Sequence, residues 1–230
     1  MRSAADRSAA GPSPVETDET EALAARVGER RATRRGRDTQ RRLIAAAHEL
    51  FDTTPFHETR IADIARRAGV SAGSFYTYFA SKEALFQIVA QHVLEEMFSA
   101  PRRDPDNEDG NPVRDIAYAS RSYFEVCLKH RVVAQSIERL RTVDPRIGAS
   151  RRNALSRGVK RTARWVRRLQ DEGLCDPELD PWYTALVLQS MNVSVAYDQL
   201  VHREEPDDID ALVAAVTPIW ARAVGLDAWL

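Results

Sequence analysis

The segment between Thr59 and Phe79 holds the side chains whose types and spacing could act on another molecule. Its second half interleaves hydroxyl-bearing and small residues, which can reach phosphate oxygens or base edges and permit a close approach. Tyrosines, serine and threonine together on one exposed helix face are hard to explain as plain solvent contacts, but they suit a nucleic-acid surface. The outward residues are Ala72, Gly73, Ser74, Tyr76, Thr77 and Tyr78.

Residues suited to catalysis or metal binding form no recognisable pattern in the sequence. The five histidines, at positions 48, 57, 92, 130 and 202, are scattered along the chain. The two cysteines, Cys127 and Cys175, are isolated and lack metal-ligand spacing. The chain has neither a nucleophile elbow nor a phosphate-binding glycine loop. We therefore expect no enzyme activity, no cofactor and no metal, and we expect both thiols to be reduced and buried.

The Thr59–Phe79 segment has the pattern of a helix-turn-helix. Thr59 is a good N-cap for a first helix, which the glycine at position 69 would end. Ser71 is a good N-cap for a second helix. Apolar residues at helical spacing would pack the two helices together across a tight turn. These residues are Ile61, Ile64, Ala65, Val70, Phe75 and Phe79.

The chain reads as helices with short breaks, and no segment shows strand alternation. We predict an all-α fold of about nine helices, at residues 38–52, 60–69, 71–79, 82–98, 113–130, 132–143, 145–172, 181–203 and 207–224. Gly158 favours a break in the longest helix, and Pro218 a kink or an early end in the last. The predicted domains are a disordered basic arm (1–36), a helix-turn-helix DNA-binding domain (37–82) and a ligand-binding and dimerisation domain (83–230).

Basic residues are concentrated in the N-terminal part of a chain whose net charge is only −1. Seven arginines lie between Arg30 and Arg42, against the single acid Asp38. This distribution suits a chain that touches phosphate with one end only, although a solvated charge run on a disordered tail explains the charge equally well. No apolar run approaches the roughly 20 residues that span a bilayer, and no apolar signal core is present. We expect a cytoplasmic protein without membrane contact.

Residues 38–93 resemble the TetR family of regulators. The likeness rests on Asp-Ile-Ala at 63–65, Ala-Gly-Val-Ser at 68–71, Tyr-Thr-Tyr-Phe at 76–79 and Ser-Lys-Glu at 81–83. It implies a ligand-responsive transcriptional repressor that binds a palindromic operator in double-stranded DNA as a homodimer. An activator, or a sequence-tolerant DNA binder of the same fold, is the alternative.

The resemblance also implies DNA contacts for individual residues. Thr59 and Arg60 would meet the DNA backbone, and Lys82 would hold a phosphate beside the positive end of its helix. Arg41 belongs to the arginine run, which can reach a minor groove. Because the recognition surface lacks Arg, Asn and Gln, we expect DNA shape and thymine methyl groups to contribute to specificity. The residues expected in or beside the major groove are Ser71, Ala72, Gly73, Ser74 and Thr77, with Tyr76 and Tyr78 at phosphates or flanking bases.

The last two predicted helices are candidates for a dimer interface. A single short recognition helix binds DNA weakly. A two-fold dimer that spans one DNA turn contacts two half-sites and so binds more tightly. Two helices from each subunit would form a four-helix bundle, although an internal core explains some of the same apolar residues. The candidates are Tyr183, Leu186, Val187, Met191, Val195 and Leu200, followed by Ile209, Leu212, Val213, Val216, Ile219 and Trp220.

A small-molecule pocket is expected among the fourth to eighth predicted helices. The polar residues Gln189, Ser190, Asn192 and Ser194 interrupt an apolar helix, and a ligand or the second subunit would supply the partners that buried polar groups need. We expect a mainly apolar effector, such as an acyl thioester, a sterol-like lipid or a lipophilic drug, although packing alone accounts for many aromatic residues. The candidate ligand-binding residues are His92, Met97, Tyr118, Phe124, Ile137, Trp165, Leu188, Met191 and Asn192.

Overall fold

A computed structural model of the chain describes residues 33–99 and 103–230. This part of the chain contains helices and turns but no strand, which confirms the predicted all-α fold. A π-helical segment at Tyr197–Val201 extends α8, and a 3-10 turn at Asp227–Trp229 follows α9. The α-helices are α1 (Arg34–Phe51), α2 (Ile61–Arg67), α3 (Ala72–Tyr78), α4 (Lys82–Ser99), α5 (Pro112–Lys129), α6 (Arg131–Leu140), α7 (Pro145–Asp171), α8 (Pro181–Ala196) and α9 (Ile209–Ala223).

The first helix begins earlier than the sequence predicted. Thr33 is the N-cap of α1, because its hydroxyl accepts a hydrogen bond from the backbone N–H of Gly36 at 2.9 Å. Residues 34–36 are therefore helical, and their assignment to a disordered arm is wrong. The rest of the predicted arm, residues 1–32 with Arg30 and Arg31, lies outside the described residues.

The long helix α7 is continuous, so the predicted break near Gly158 is absent. Gly158 instead allows a close approach between helices, since an added Cβ would lie only 3.0 Å from Cδ1 of Phe98 on α4. Pro218 lies inside α9, which continues to Ala223 without the predicted early end. Glycine and proline both destabilise an isolated helix, but the elements packed around Gly158 and Pro218 keep α7 and α9 continuous in this fold.

The helix α4 joins the helix-turn-helix to the rest of the molecule. Near its start the Phe86 ring packs edge-on against Phe51 of α1, with ring centroids 5.1 Å apart. Near its end Phe98 packs against α7 at Gly158. One hydrophobic core runs without interruption from α1 to the C-terminal turn and crosses the predicted domain boundary at residue 82. The helix α4 therefore contacts both α1 and α7 through one continuous core.

The structure also bears on the state of the cysteines and on membrane-spanning helices. Cys127 and Cys175 are both buried free thiols, as predicted. Within residues 33–99 and 103–230, no helix has the length and apolar character that a bilayer span requires.

Candidate nucleic-acid interface and effector cavity

The turn between α2 and α3 is fixed by its backbone geometry. Gly69 has a φ of +68°, which favours glycine because side chains with a Cβ are strained there. The N–H of Val70 then donates to the carbonyl of Ala65 at 2.9 Å, which closes the end of α2 in a Schellman motif. Nη1 of Arg42 donates to the carbonyl of Ala68 at 2.9 Å and ties α1 to the same turn. The two helices and α1 therefore keep a fixed relation.

The predicted inner face of α3 is confirmed. Ser71 caps the helix, because its hydroxyl accepts from the N–H of Ser74 at 3.2 Å. Phe75 and Phe79 are buried in the core. Burial of these two rings turns the opposite side of α3 outward, where the Tyr76 side chain is 59% exposed. Ser71, Ala72 and Gly73 are also exposed, and Ser74, Thr77 and Tyr78 are partly exposed.

Thr59 has a different place from the predicted one. It is buried, and its hydroxyl donates to the carbonyl oxygens of Thr54 at 3.3 Å and Pro55 at 3.1 Å. The N-cap of α2 is Arg60, whose exposed side chain makes no capping hydrogen bond. The prediction that Thr59 caps α2 is wrong, and its inward hydroxyl is not available to a DNA backbone.

Lys82 also points inward. Its Nζ donates to the carbonyl oxygens of Phe56 at 2.6 Å and Thr59 at 2.8 Å, and it lies 4.3 Å from the centre of the Phe56 ring. Partial burial lowers the pKa of Lys82. This lysine fastens the α1–α2 loop to the start of α4, which corrects the expectation of a phosphate clamp. Sequence could not show this, because the two carbonyls come from a loop more than twenty residues away.

Basic side chains stand beside the outward face of α3. A groove separates the start of α1 from α3, and Arg35 and Arg42 line one side of it while Ser74 and Thr77 line the other. The Arg41 side chain is exposed beside Asp38. The arginine run in the sequence was the signal for this surface, but it did not single out positions 35 and 42.

A small cavity lies between α4, α5, α7, α8 and α9. Its volume is about 40 Å³. Three of the nine predicted ligand-binding residues line it: Met97, Trp165 and Asn192. The lining residues that the sequence did not single out as ligand-binding candidates are Phe98, Asp115, Ile116, Ala119, Ser120, Tyr123, Arg161, Gln189 and Trp220.

The other six predicted ligand-binding residues lie elsewhere. His92 is exposed and stacks on His48, with ring centroids 5.9 Å apart. Helical periodicity identifies the inward face of each helix but not which inward residues border a cavity, so packing residues were included. Phe124, Ile137 and Leu188 are buried core residues, and Tyr118 and Met191 are half-buried away from the cavity.

The buried polar residues of α8 find their partners inside the chain. Nε2 of Gln189 donates to the hydroxyl of Thr162 at 2.7 Å. Nδ2 of Asn192 donates to the hydroxyl of Ser120 at 3.1 Å, and Oδ1 of Asn192 accepts from Nε1 of Trp220 at 3.0 Å. This corrects the inference that a ligand or a second subunit must satisfy them.

Arg161 and Tyr123 line the cavity and each have a buried polar atom without a hydrogen-bond partner among the described residues, and Arg161 is the charged one. Its Nη2 donates to the carbonyl of Phe98, whereas its buried Nε has no hydrogen-bond partner among the residues that the structure describes. Burial, with Arg164 nearby, lowers the pKa of the guanidinium. An acceptor or anionic group entering the cavity would satisfy this donor, because a buried polar group without a partner is costly.

The outer face of α8 and α9 presents apolar side chains to solvent. Tyr183 is 67%, Val187 65% and Ile219 51% exposed. Four other predicted interface residues are buried in the chain's own core and do not form this face. These are Leu200, Val213, Val216 and Trp220, while Leu186, Met191, Val195, Ile209 and Leu212 are partly buried.

Three of the five histidines, which are far apart in the sequence, lie close together in the structure. His48, His92 and His130 gather where α1, α4 and the corner between α5 and α6 meet. The missed signal was the spacing of four residues between His48 and Asp52 and between His92 and Glu96, which places each pair on one helix face.

The sequence matches the model of the family described as bacterial regulatory proteins, tetR family, over residues 43–89. The A-factor receptor protein of Streptomyces griseus is 27% identical over 182 residues, which are 79% of this chain. That match spans only 61% of the receptor's own length. The HTH-type transcriptional regulator EthR of Mycolicibacterium smegmatis is 23% identical over 197 residues, 86% of this chain and 91% of the relative.

Solved structures show the same fold. SmeT, the repressor of the Stenotrophomonas maltophilia multidrug efflux pump SmeDEF, superposes with a TM-score of 0.63 at 19% identity. The superposition covers 84% of this chain and 95% of SmeT. The architecture therefore extends well beyond the matched segment, into the helices around the cavity.

Substitution of Gly73 by alanine tests the orientation of α3. An added Cβ would meet nothing within 4 Å, so we expect the variant to be as stable as the wild type or up to about 1 kcal/mol more stable. If α3 lies against DNA, the same methyl group should weaken binding about tenfold, roughly 1.4 kcal/mol. Thermal unfolding and titration of a duplex selected by the wild-type chain from a random pool measure the two effects. Unchanged DNA affinity would contradict a close approach at Gly73.

Substitution of Lys82 by alanine tests the inward role of this lysine. The loss of two charge-assisted hydrogen bonds should lower the free energy of unfolding by roughly 1–3 kcal/mol. Denaturant titration measures the change. Lys160→Ala, on the exposed side of α7, is the matched control and should stay within about 0.5 kcal/mol of the wild type. Equal stability of the two variants would show that Lys82 does not hold the loop.

Proposed function

We propose that this chain, which belongs to the TetR family of transcriptional regulators, is a homodimeric repressor that releases a palindromic operator when a small molecule enters the cavity. Members of this family are generally DNA-binding regulators rather than enzymes. The observation that carries the proposal is the position of α4, which begins beside the helix-turn-helix at Lys82 and ends at the cavity with Met97 and Phe98. At 1.5 Å per residue the helix is about 27 Å long.

The DNA contact is proposed for the outward face of α3 and the basic residues around it. Tyr76 and Thr77 supply hydroxyls for phosphates, and small Ala72 and Gly73 permit close approach to a groove. Arg60 at the start of α2 and the arginines of α1 supply positive charge for the DNA backbone. These are Arg35, Arg41 and Arg42.

The dimer is proposed for the outer face of α8 and α9. An α3 of seven residues is only about 10 Å long and contacts few base pairs. Two copies separated by one DNA turn, about 34–36 Å, would double the contact and explain a palindromic operator. The exposed Tyr183, Val187 and Ile219 support this face, since apolar side chains in a group favour burial against a partner.

The effector is proposed to be a mainly apolar small molecule with one acceptor or anionic group. Aromatic side chains form much of the cavity wall, and Arg161 offers the unused donor. The cavity of about 40 Å³ is far smaller than the 300–1,000 Å³ that drug-sized ligands occupy. The effector must therefore displace wall residues as it binds, and Phe98 on α4 is the residue through which displacement reaches the helix-turn-helix.

Release of DNA is proposed to be a shift of population between two arrangements of α4. The effector favours the arrangement with the enlarged cavity, whereas the operator favours the one with correctly spaced α3 helices. The shift cannot exceed the difference between the effector's affinities for the two arrangements. By reciprocity, operator binding weakens effector binding by the same factor.

A footprint on the DNA upstream of the chain's own gene tests the proposed function. We expect a symmetric protected region that overlaps the promoter core, measured at a stated salt concentration because phosphate contacts make affinity salt-dependent. A small-molecule library is then screened for release of the same DNA. Ala119→Phe, which fills the cavity, should resist release, whereas Ala228→Phe, at an exposed position in the C-terminal 3-10 turn, should not.

Three outcomes would contradict parts of this proposal. A footprint upstream of the promoter core would indicate an activator. Protection without a discrete site would indicate a sequence-tolerant binder. Release that is equal in the Ala119→Phe variant and in the wild type would place the effector outside the cavity.

A charge on the outer face of α8 or α9 tests the dimer. Val187→Asp and Ile219→Asp would each bury a carboxylate at the proposed interface, so we expect dimerisation to weaken at least about tenfold. Sedimentation at several protein concentrations measures the change. Val143→Asp is the control, because Val143 is 73% exposed after α6 and lies outside the proposed face. Unchanged dimerisation in both variants would move the interface elsewhere.

A further inference from the structure

Five side chains of types that bind metals meet at one place outside the cavity and the DNA face. His48 and Asp52 lie one turn apart at the end of α1, and His92 and Glu96 lie one turn apart on α4. His130 is the residue between α5 and α6. The cluster therefore joins the helix-turn-helix part, the connecting helix and the C-terminal helices.

The distances within the cluster are short. The ligand atoms that His48, Asp52 and His130 offer all lie within 4.8 Å of one another. Nδ1 of His130 is 2.7 Å from Oδ1 of Asp52, and Nε2 of His130 is 3.2 Å from Oε2 of Glu96. Ligand atoms around a tetrahedral ion with bonds of about 2.0–2.1 Å are roughly 3.4 Å apart, so small side-chain rotations suffice.

We propose that His48, Asp52 and His130 bind a first-row divalent transition metal ion, with Zn²⁺ as the reference ion. Two imidazoles and one carboxylate favour zinc over magnesium or calcium, which prefer oxygen ligands. The fourth position is left to water. This site is a second input to the protein and goes beyond the effector cavity of the proposed function.

Glu96 acts as an orienting partner of His130. It accepts the hydrogen bond from Nε2 of His130 and is itself held by Lys129, whose Nζ lies 2.8 Å from Oε1 of Glu96. In the metal-bound form Nε2 of His130 keeps its proton and donates it to Glu96, while Nδ1 is the ligand atom, an arrangement common around protein-bound zinc. The ion would replace the proton that lies between Nδ1 and Asp52, so binding releases a proton.

Hydrogen bonding alone does not account for the cluster. The two carboxylates satisfy His130, but they do not explain why two further imidazoles gather beside it. The ring centroid of His48 lies 6.0 Å from that of His130 and 5.9 Å from that of His92. An ion bound by His48, Asp52 and His130 would account for the imidazole of His48 beside that of His130, and His92 stacks on His48.

The consequence of binding follows from the elements that supply the ligands. His48 and Asp52 belong to α1, which is fixed to the α2–α3 turn through Arg42. His130 belongs to the C-terminal helices. A bound ion would clamp α1 to the α5–α6 corner and stabilise one orientation of the helix-turn-helix.

Metal titration of the untagged, full-length chain tests the site. After treatment with a chelator, ZnCl₂ is added in a calorimeter and CoCl₂ is added while the visible spectrum is recorded. We expect one ion per chain, proton release in buffers of different ionisation enthalpy, and a tetrahedral Co²⁺ spectrum. The thermal unfolding midpoint should rise with Zn²⁺, because a ligand that binds the folded state stabilises it.

Matched variants decide whether these residues are responsible. The double variant His48→Gln, Asp52→Asn keeps the size of both side chains and should lose at least about 100-fold in Zn²⁺ affinity, together with the rise in unfolding midpoint. His57→Gln is the control, since His57 is exposed in the α1–α2 loop and pairs with Glu58. Absence of stoichiometric binding, or equal binding by the double variant and the wild type, would overturn the proposal.

Discussion

The burial of α4 on two sides is the constraint on which the other features depend. Phe86 near its start packs on α1, and Phe98 near its end packs on α7 so closely that a Cβ at position 158 would lie only 3.0 Å from the Phe98 ring. Packed interiors are as dense as crystals and do not deform smoothly. A change at the end of α4 is therefore absorbed by a repacking of the whole contact, including the contact with α1, rather than by local yielding.

The cavity and the helix-turn-helix are connected through that packing. The Arg161 guanidinium and the Phe98 carbonyl meet at the last turn of α4, so a ligand that accepts from the free Nε of Arg161 lies beside the hydrogen bond that joins α7 to α4. At the other end, Lys82 fixes the first turn of α4 to the α1–α2 loop through the carbonyls of Phe56 and Thr59. The Lys82 side chain thus binds carbonyls of the α1–α2 loop at one end of α4, and the Arg161 side chain of α7 binds a carbonyl of α4 at the other, so both ends of α4 are fixed to neighbouring elements.

The sequence predicted what local interactions decide. The Ser71 cap, the glycine turn at position 69 and the inward Phe75 and Phe79 depend on neighbours within one or two turns, and the structure has them as expected. Two errors were local, since the Thr33 cap and the inward turn of the Thr59 hydroxyl involve residues within five positions, but the error at Lys82 comes from partners that are distant in the chain. Lys82 has the spacing of a family phosphate contact, but a loop more than twenty residues earlier captures its ammonium group.

Contacts between residues distant in the chain also explain why the sequence did not reveal the cavity lining. Helical periodicity placed Asn192 on an inward face, but its bonds with Ser120 and Trp220 come from two other helices and could not be read from the sequence. The spare donor at Arg161 was missed because an arginine on a long, basic helix has the pattern of a solvent-exposed residue. Only the approach of Phe98 on α4 turns it into the cavity wall.

The proposed metal site and the effector cavity both adjoin the end of α4, so binding at one should affect binding at the other. The proposed metal ligands come from the end of α1 and from the α5–α6 corner, and Glu96 of α4 is hydrogen-bonded to His130, while the next two residues of α4, Met97 and Phe98, line the cavity. An effector that moves α4 displaces Glu96 and with it the orientation of His130. Linkage then requires that a metal ion and an effector which favour different positions of α4 weaken each other's binding by the same factor.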